Sequence, residues 1–520
     1  MAQRQQPMVI LSEDNERTQG QDAQDSNIRA GKAVANSVRT TLGPKGMDKM
    51  LVTSSGDVTI TNDGATILNT MDIEHPAAQM LVEVAETQEI EVGDGTTTAA
   101  VLAGELLAEA EDLLEQDLHP TVIVEGYHEA ARLAQDAIDE QVLDIDLDDD
   151  TLQSVAESSM TGKGTGDVAA EVLAERVVNA VRQVATDDGV DREDIHIHTQ
   201  TGAASSATEL VEGVIVDETP ISDSTPRQLA DATTAILTTS LEFDTGEADA
   251  EYNITDVNQL NEAIEAEESE LREYADAVAD AGIDLLFTTG DIDDRVAGYL
   301  ANEGIVAYED VSSSDADALA QATGARQLGT LDDVEDADLG TTASLRVETY
   351  GEDELTFVEG ADTANASLFV RGSTDHVVDE LERALNDAID VAIAALDKGG
   401  VVGGAGAPEI AIADHVRSHA AGIEGRKQLA IEAFATAVDA LPRTLAENTG
   451  LDPIDALVDL RARHDAQGRA GLATTDRSGK VGDPVEEGVL DPAAVKREAV
   501  DSATEAATMI LRIDDVISSE

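Results

Sequence analysis

The sequence contains no cysteine and no tryptophan, and aromatic residues make up only 2% of its 520 residues. Without cysteine the chain forms no disulfide, no thiolate metal site and no cysteine nucleophile. No stretch approaches the roughly 18 uninterrupted apolar residues of a membrane-spanning helix. The apolar run near the start, Met8 to Leu11, is too short for a signal peptide, so a cytoplasmic location is expected.

Positive charge is also scarce. Eight Lys and 24 Arg face 108 acidic residues, which gives a formal net charge of −76. So acidic a surface repels the phosphates of nucleic acids and anionic lipids, and we expect neither a nucleic-acid partner nor a membrane partner. The excess of acid is typical of proteins adapted to molar salt, where the Debye length is about 3 Å. An acidic disordered chain is the alternative, but 42% hydrophobic residues in regular periodic patterns favour a globular protein.

The apolar periodicity divides the chain into helical ends and a mixed middle. Helical spacing dominates from Asp22 to about Leu143 and again from Asp375 onward, whereas strand and helix patterns alternate between them. Because a chain of 520 residues is longer than one hydrophobic core usually organises, two or three domains are expected. The order of the patterns predicts a middle domain inserted into one discontinuous helical domain.

The segment Gly93-Asp-Gly-Thr-Thr-Thr-Ala-Ala100 opens a predicted helix. Small residues let a phosphate approach the backbone, and the N–H groups at a helix start favour an anion. Three threonine hydroxyls add donors, and Asp94 is suited to hold Mg²⁺ against phosphate oxygens. A single Asp-Gly-Thr triplet more commonly forms a turn with an N-cap, but the run of three threonines favours a phosphate site.

Other small-residue segments are ambiguous by themselves. Leu42 to Gly46 resembles the end of a helix, and Asn62-Asp63-Gly64 resembles a turn. Lys163 lies between two glycines and is expected to be a solvated loop lysine. Gly403 to Pro408 would let backbone approach a ligand, but it is no dinucleotide fingerprint.

Two acidic or histidine patterns could suggest metal sites. Asp144, Asp146 and Asp148 are spaced like the start of a calcium-binding loop, but its glycine and closing glutamate are missing. His196 and His198 share the face of a predicted strand without a third ligand, so two exposed histidines are expected instead.

Taken together and in order, several segments resemble the group II chaperonins, in the form of an archaeal thermosome subunit, and the acidity suggests a halophilic archaeon. The segments are Leu42 to Leu51, Ile60 to Leu68, Gly93 to Ala99, Gly404 to Glu409, Glu447 to Asp455 and Met509 to Ile517.

The resemblance implies a multidomain α+β fold. Its parts would be a mainly helical equatorial ATPase domain (1–147 and 404–520), a small α/β intermediate domain (148–218 and 370–403), and an α/β apical substrate-binding domain (219–369) with a helical lid protrusion at about 242–274.

The resemblance also implies roles for individual residues. Asp387 would orient the attacking water with Asp63 as its helper, Asp94 would bind Mg²⁺, and Lys163 would monitor the γ-phosphate. The implied nucleotide-binding residues are Leu42, Gly43, Pro44, Asp94, Gly95, Thr96, Thr97, Thr98, Lys163, Gly404, Ala405, Gly406 and Asp491. Ala405 departs from the usual glycine.

The implied function is ATP-dependent folding of non-native proteins inside two stacked rings, commonly of eight identical or paralogous subunits each, closed by the built-in lid. ATP and Mg²⁺ are the expected cofactors, with K⁺ as a further cation. A ring-forming holdase or scaffold that binds nucleotide with little turnover is the alternative, and a small-molecule kinase is disfavoured because no acceptor site is evident.

Dialysis to low salt should dissociate the rings and then unfold the subunits. The charge of −76 per subunit becomes unscreened as the Debye length grows to about 30 Å near 0.01 M salt. Light scattering and circular dichroism along a salt titration would follow both steps. An assembly that survives low salt without divalent cations would contradict the halophilic interpretation.

Overall fold

The computed structural model describes residues 15–164, 168–186, 189–243, 257–331, 334–351, 353–360, 365–474 and 479–519. The helices are α1 (Gln21–Val38), α2 (Gly64–Thr70), α3 (Pro76–Val92), α4 (Thr96–Glu115), α5 (Pro120–Gln141), α6 (Asp149–Met160), α7 (Ala170–Val184), α8 (Val257–Asp280), α9 (Asp294–Glu303), α10 (Ser313–Thr323), α11 (Asp375–Asp397), α12 (Ala407–Ala420), α13 (Lys427–Asn448), α14 (Pro453–Gln467) and α15 (Ala493–Leu511). Within the described ranges, no helix is long and apolar enough to cross a membrane.

The strands of the described residues are all paired, either in two-stranded ribbons or in one of two larger sheets. They are β1 (Asn15–Gln19), β2 (Lys49–Val52), β3 (Val58–Thr61), β4 (Ile195–Thr201), β5 (Glu209–Val211), β6 (Val214–Val216), β7 (Gln228–Leu237), β8 (Leu285–Thr288), β9 (Val306–Tyr308), β10 (Gln327–Leu328), β11 (Gly340–Tyr350), β12 (Asp353–Gly360), β13 (Ala366–Gly372), β14 (Val401–Gly403), β15 (Gly471–Thr474), β16 (Gly479–Gly482), β17 (Leu490–Pro492) and β18 (Asp515–Ser519).

The chain forms two compact units. The first is made from both chain ends and comprises Met1–Thr165, Ala169–Val177 and Arg383–Glu520, while the second comprises Gly166–Val168 and Val178–Glu382. The predicted arrangement of a middle segment inserted into a discontinuous helical part is therefore confirmed, as is the mixed α+β class. The finer division into equatorial, intermediate and apical domains stays a prediction. All eight lysines fall within the ranges of the first unit.

The first unit has a helical core to which α1, α3, α4, α5, α12, α13 and α15 contribute. Its largest fully buried side chain, Tyr127 of α5, meets Phe434 of α13 edge to face at 5.9 Å between ring centroids. The Tyr127 hydroxyl donates to the Leu106 carbonyl of α4 at 2.7 Å, so its one polar group is satisfied inside the core. Four two-stranded ribbons accompany these helices: β1 with β18, β2 with β3, β14 with β17, and β15 with β16.

Among the described residues, the second unit holds a seven-stranded sheet in the order β6-β12-β11-β7-β8-β9, with β10 paired to β7, and a three-stranded sheet β4-β13-β5. The strands β7, β8 and β9 run parallel; α8 lies between β7 and β8 in the chain, and α9 lies between β8 and β9. Of the expected lid, residues 244–256 lie outside the described ranges, and α8 begins at Val257.

A buried carboxylate ties three helices of the first unit together. Asp439 of α13 has a side chain only 4% exposed, and its Oδ2 atom accepts from Arg417 of α12 and from Arg461 of α14. Both arginines are about a third or more exposed and keep access to water. The carboxylate is thus the buried partner on which both cations converge.

Asp439→Asn should lower the free energy of unfolding by about 2 kcal/mol, because a buried acceptor shared by two guanidinium groups loses its charge. The exposed Asp459→Asn on α14 is the matched control and should change stability by less than about 0.5 kcal/mol. Denaturant unfolding in molar KCl measures both. Equal denaturation midpoints for the two variants would show that the contacts of Asp439 with the two arginines contribute nothing to stability.

Candidate functional site

A cavity in the first unit is walled by segments that lie far apart in the sequence. They come from the loop after α1, the start of α2, the start of α4, the end of α6, the start of α12, the end of α13 and the region from β17 into α15. The wall residues that had been predicted from the sequence are Leu42, Gly43, Pro44, Asp63, Asp94, Gly95, Thr96, Thr97, Thr98, Lys163, Ala405, Gly406 and Asp491. Gly404 and Asp387 are not part of the wall, but each directly contacts a residue that is.

The start of α4 forms one wall of the cavity. Gly95 is its N-cap, in a left-handed conformation with φ of 85°, and no side chain caps the helix. The N–H groups of Thr96, Thr97 and Thr98 therefore stand at the positive end of a 20-residue helix. The neighbouring Asp94 is fixed because its Oδ1 atom accepts from the Gly95 N–H at 2.7 Å.

Asp63 lies beside this helix start and belongs to another helix end. The sequence suggested a turn at Asn62-Asp63-Gly64, but Asp63 is instead the N-cap of α2, accepting from the Thr66 N–H at 2.6 Å. Its other oxygen accepts from the Thr96 hydroxyl at 3.0 Å. Gly64 is required here, since a Cβ would lie 2.8 Å from the Thr97 nitrogen.

The loop after α1 is held against the cavity by close backbone packing. Gly43 has φ of 83°, and a Cβ on it would lie 2.3 Å from the Leu445 side chain. The Asn448 amide donates to the Leu42 carbonyl at 2.9 Å. Leu42 to Gly46 is thus more than a helix stop, because it fixes backbone at the cavity wall.

Lys163 is not the solvated loop lysine that its sequence context favoured. Its side chain is 15% exposed and forms an ion pair with Asp387 of α11, which is equally buried. Burial acts to lower the pKa of Lys163, but Asp387 and Asp94 outweigh burial and raise it. Burial raises the pKa of Asp387 to about 7, with Lys163 opposing.

Asp491 and the Gly404 to Gly406 segment lie at another part of the cavity. β14 pairs with β17, which sets Val402 opposite Asp491, and a Cβ on Gly404 would lie 2.9 Å from the Asp491 Oδ1 atom. Ala405 adopts φ of 57°, a conformation that normally favours glycine. Its carbonyl accepts from the Leu472 N–H at 2.8 Å.

Several wall residues were given no role by the sequence, among them Glu409 and Lys496. The Lys496 ammonium contacts the Asp491 Oδ2 atom at 2.7 Å and the Glu409 Oε1 atom at 3.2 Å. Glu409 is 5% exposed, and its Oε2 atom has no hydrogen-bond partner. The sequence has only eight lysines, and this scarcity was the one signal that could have singled out Lys496.

The cavity combines an uncapped helix start with carboxylates and two buried ammonium groups. Such a set can bind a phosphorylated ligand, place a carboxylate near its phosphates and neutralise charge. No group of three His, Cys, Asp or Glu side chains that could hold a metal ion occurs among the described residues.

The two weaker metal patterns have other structural roles. Asp148 is the N-cap of α6, accepting from the Thr151 N–H at 3.0 Å. His196 and His198 lie on one face of β4 but are half-buried rather than exposed, and burial lowers the pKa of each. The expectation of exposed histidines was wrong. Phe369 of the paired strand β13 is the cross-strand neighbour of His198, and the centroids of the two rings are 5.9 Å apart.

Comparison with known proteins agrees with the motifs. The TCP-1/cpn60 chaperonin family matches residues 34–520. Thermosome subunit 3 of Haloferax volcanii is 67% identical over 99% of both chains. Thermosome subunit alpha of Halobacterium salinarum is 51% identical over 99% of this chain and 92% of its own length. The thermosome subunit of Methanopyrus kandleri is 51% identical over 98% of this chain and 95% of its own length. The chain therefore belongs to the TCP-1/cpn60 chaperonin family of ATP-driven protein-folding chaperones.

Proposed function

We propose that the cavity of the first unit binds ATP with its phosphates at the start of α4 and its nucleoside near Asp491. The observation that carries this orientation is the uncapped N-terminus of α4 beside Asp94 and the Lys163–Asp387 pair. Three backbone N–H groups, the threonine hydroxyls and one ammonium group suit the phosphates, because donors and positive charge lie on one side of the cavity.

Asp94 is the residue that would hold Mg²⁺. It fits because its carboxylate is fixed by the Gly95 N–H beside the phosphate-facing amides, and Mg²⁺ takes carboxylate together with phosphate oxygens. When bound, Mg²⁺ would neutralise charge on the phosphates. A K⁺ ion as a further cation belongs to the same proposal.

Asp387 is the residue that orients the attacking water and accepts its proton, with Asp63 as helper. Lys163 holds the Asp387 carboxylate by an ion pair, and Asp63 is fixed by the Thr66 N–H and the Thr96 hydroxyl. In phosphoryl transfer the protein mainly positions groups and neutralises charge, which these fixed side chains do.

ATP turnover would drive the folding of non-native client proteins within two stacked rings of about eight subunits each, as the resemblance implies. In the proposed domain division, Asp387 belongs to the intermediate domain, so closure of that domain onto the cavity would make hydrolysis conditional. A cytoplasmic location, the ring number and the lid belong to this proposal too.

Asp387→Asn should leave ATP binding intact and lower kcat by about 10²–10⁴-fold, because it removes a proton acceptor and keeps the shape of the side chain. Phosphate release at molar salt measures kcat, and equilibrium binding measures affinity. Asp397→Asn, at an exposed position on the same helix, is the control. Unchanged turnover would remove Asp387 from the mechanism, and negligible turnover of the unaltered chain would favour the holdase alternative.

The same variant has a signature in its pH dependence. Only the ionised carboxylate accepts a proton, and burial raises the pKa of Asp387 to about 7. For the unaltered chain, kcat/KM should therefore fall as the pH drops through about 7, and the residual activity of Asp387→Asn should lack this fall.

Ala405→Gly should raise the free energy of unfolding by about 1 kcal/mol, because Ala405 has φ of 57° and glycine adopts this conformation without strain. The exposed Ala462→Gly inside α14 is the control and should lower stability by about 1 kcal/mol. Thermal unfolding in molar KCl measures both. A loss of stability in both variants would show that residue 405 is not strained.

A further inference from the structure

Lys496 joins two carboxylates that belong to different elements of the cavity. Its ammonium group, on α15, contacts Asp491 of β17 at 2.7 Å and Glu409 of α12 at 3.2 Å. The side chains are 12%, 24% and 6% exposed for Lys496, Asp491 and Glu409. One ammonium therefore serves two carboxylates in a largely dry setting, and the three charges sum to minus one.

The buried cation is strongly held in its charged form. Burial acts to lower the pKa of Lys496, but Asp491 and Glu409 outweigh burial and raise it. Removing this charge would leave two carboxylates without the cation between them, a costly arrangement away from water.

Asp491 is also confined from its other side. Its Oδ1 atom lies against Gly404, where any Cβ would come within 2.9 Å, and β14–β17 pairing fixes its backbone opposite Val402. Lys496 contacts the other oxygen, Oδ2. The direction of this carboxylate is thus set jointly by a backbone contact and an ion pair.

We propose that Lys496 is a positioning residue that keeps the Asp491 carboxylate aimed at the nucleoside end of the nucleotide, with Glu409 as its second anchor. This inference rests on the proposed nucleotide cavity. Lys496 acts through Asp491.

The acceptor chemistry defines what Asp491 recognises. An ionised carboxylate accepts hydrogen bonds and donates none, so the nucleoside must offer donors. Adenosine has two kinds, the hydroxyls of the sugar and the amino group of the base. A charged acceptor that is held in one direction discriminates against nucleotide analogues that lack the donor it binds.

Lys496→Met is the primary test, with KM and kcat for ATP measured at molar salt. KM should rise about 10- to 100-fold, the range of a lost charge-assisted hydrogen bond, while kcat changes much less because the phosphate end is untouched. Lys480→Met is the matched control, since Lys480 is 63% exposed, faces Glu487 at 3.9 Å and lies outside the cavity.

The double variant Glu409→Gln/Lys496→Met separates charge from packing. It removes one negative and one positive charge, which restores the total of minus one around Asp491. In the single variant the Asp491 and Glu409 carboxylates repel each other, which turns Asp491 from its direction, and Glu409→Gln removes that repulsion. KM should therefore recover part of the loss, whereas a lysine that acts only by packing would leave the double variant as poor as the single one. Absence of recovery overturns the proposal even if Lys496→Met folds badly.

Two analogues identify the donor. If the sugar hydroxyls bind Asp491, the unaltered chain prefers ATP over 2′,3′-dideoxy-ATP, and this preference is smaller in Lys496→Met. If the amino group of the base binds Asp491, the unaltered chain prefers ATP over inosine triphosphate, and that preference is smaller in Lys496→Met. Unchanged preferences for both analogues overturn the proposal. The proposal that this cavity binds the nucleotide has its own contradicting result: substitutions at Asp94 and Lys163 that leave the affinity for ATP unchanged.

Discussion

The cavity depends on a helix that is buried along its length but left open at its beginning. α4 contributes residues from Thr96 to Leu113 to the buried interior, so its axis cannot tilt without disturbing the core. Its first N–H groups have no side-chain cap, and Thr96, Thr97 and Thr98, which carry them, line the cavity. Rigid packing at one end thereby makes the other end a fixed electrostatic feature, which is what phosphate recognition requires.

Around that helix start, scarce cations are shared among abundant acids. Lys163 pairs with Asp387 at the proposed phosphate side of the cavity, and Lys496 bridges Asp491 and Glu409 at the other side. Elsewhere in the same unit one carboxylate is shared by two cations, because Asp439 accepts from two arginines. Burial of one or both partners makes these contacts less sensitive to salt than exposed pairs, in contrast to the acidic exterior, whose repulsion is screened at high ionic strength.

The sequence allowed prediction of those parts of the site that are local. Gly93 to Thr98 carries its chemistry within one helix start, so residue types and spacing sufficed there. The loop at Gly43 was interpreted by itself as a helix stop, and only the resemblance to the chaperonins assigned it to the site. The bridge from Lys496 to Glu409 joins residues 87 positions apart through the pairing of β14 with β17, and no local pattern encodes such a meeting. At Asp63 the residue types of a turn and of an N-cap coincide, which explains why the turn was expected. The burial of His196 and His198 likewise depends on a partner strand distant in sequence.

The confinement of lysine to one unit has a chemical consequence. The chain has no lysine between Lys163 and Lys398, so the second unit offers no primary amine on its side chains. Acetylation, amine-directed crosslinking and cleavage by lysine-specific proteases are consequently restricted to the first unit. Any modification of that kind acts on the unit that contains the cavity, and two of its eight targets, Lys163 and Lys496, are wall residues protected by burial.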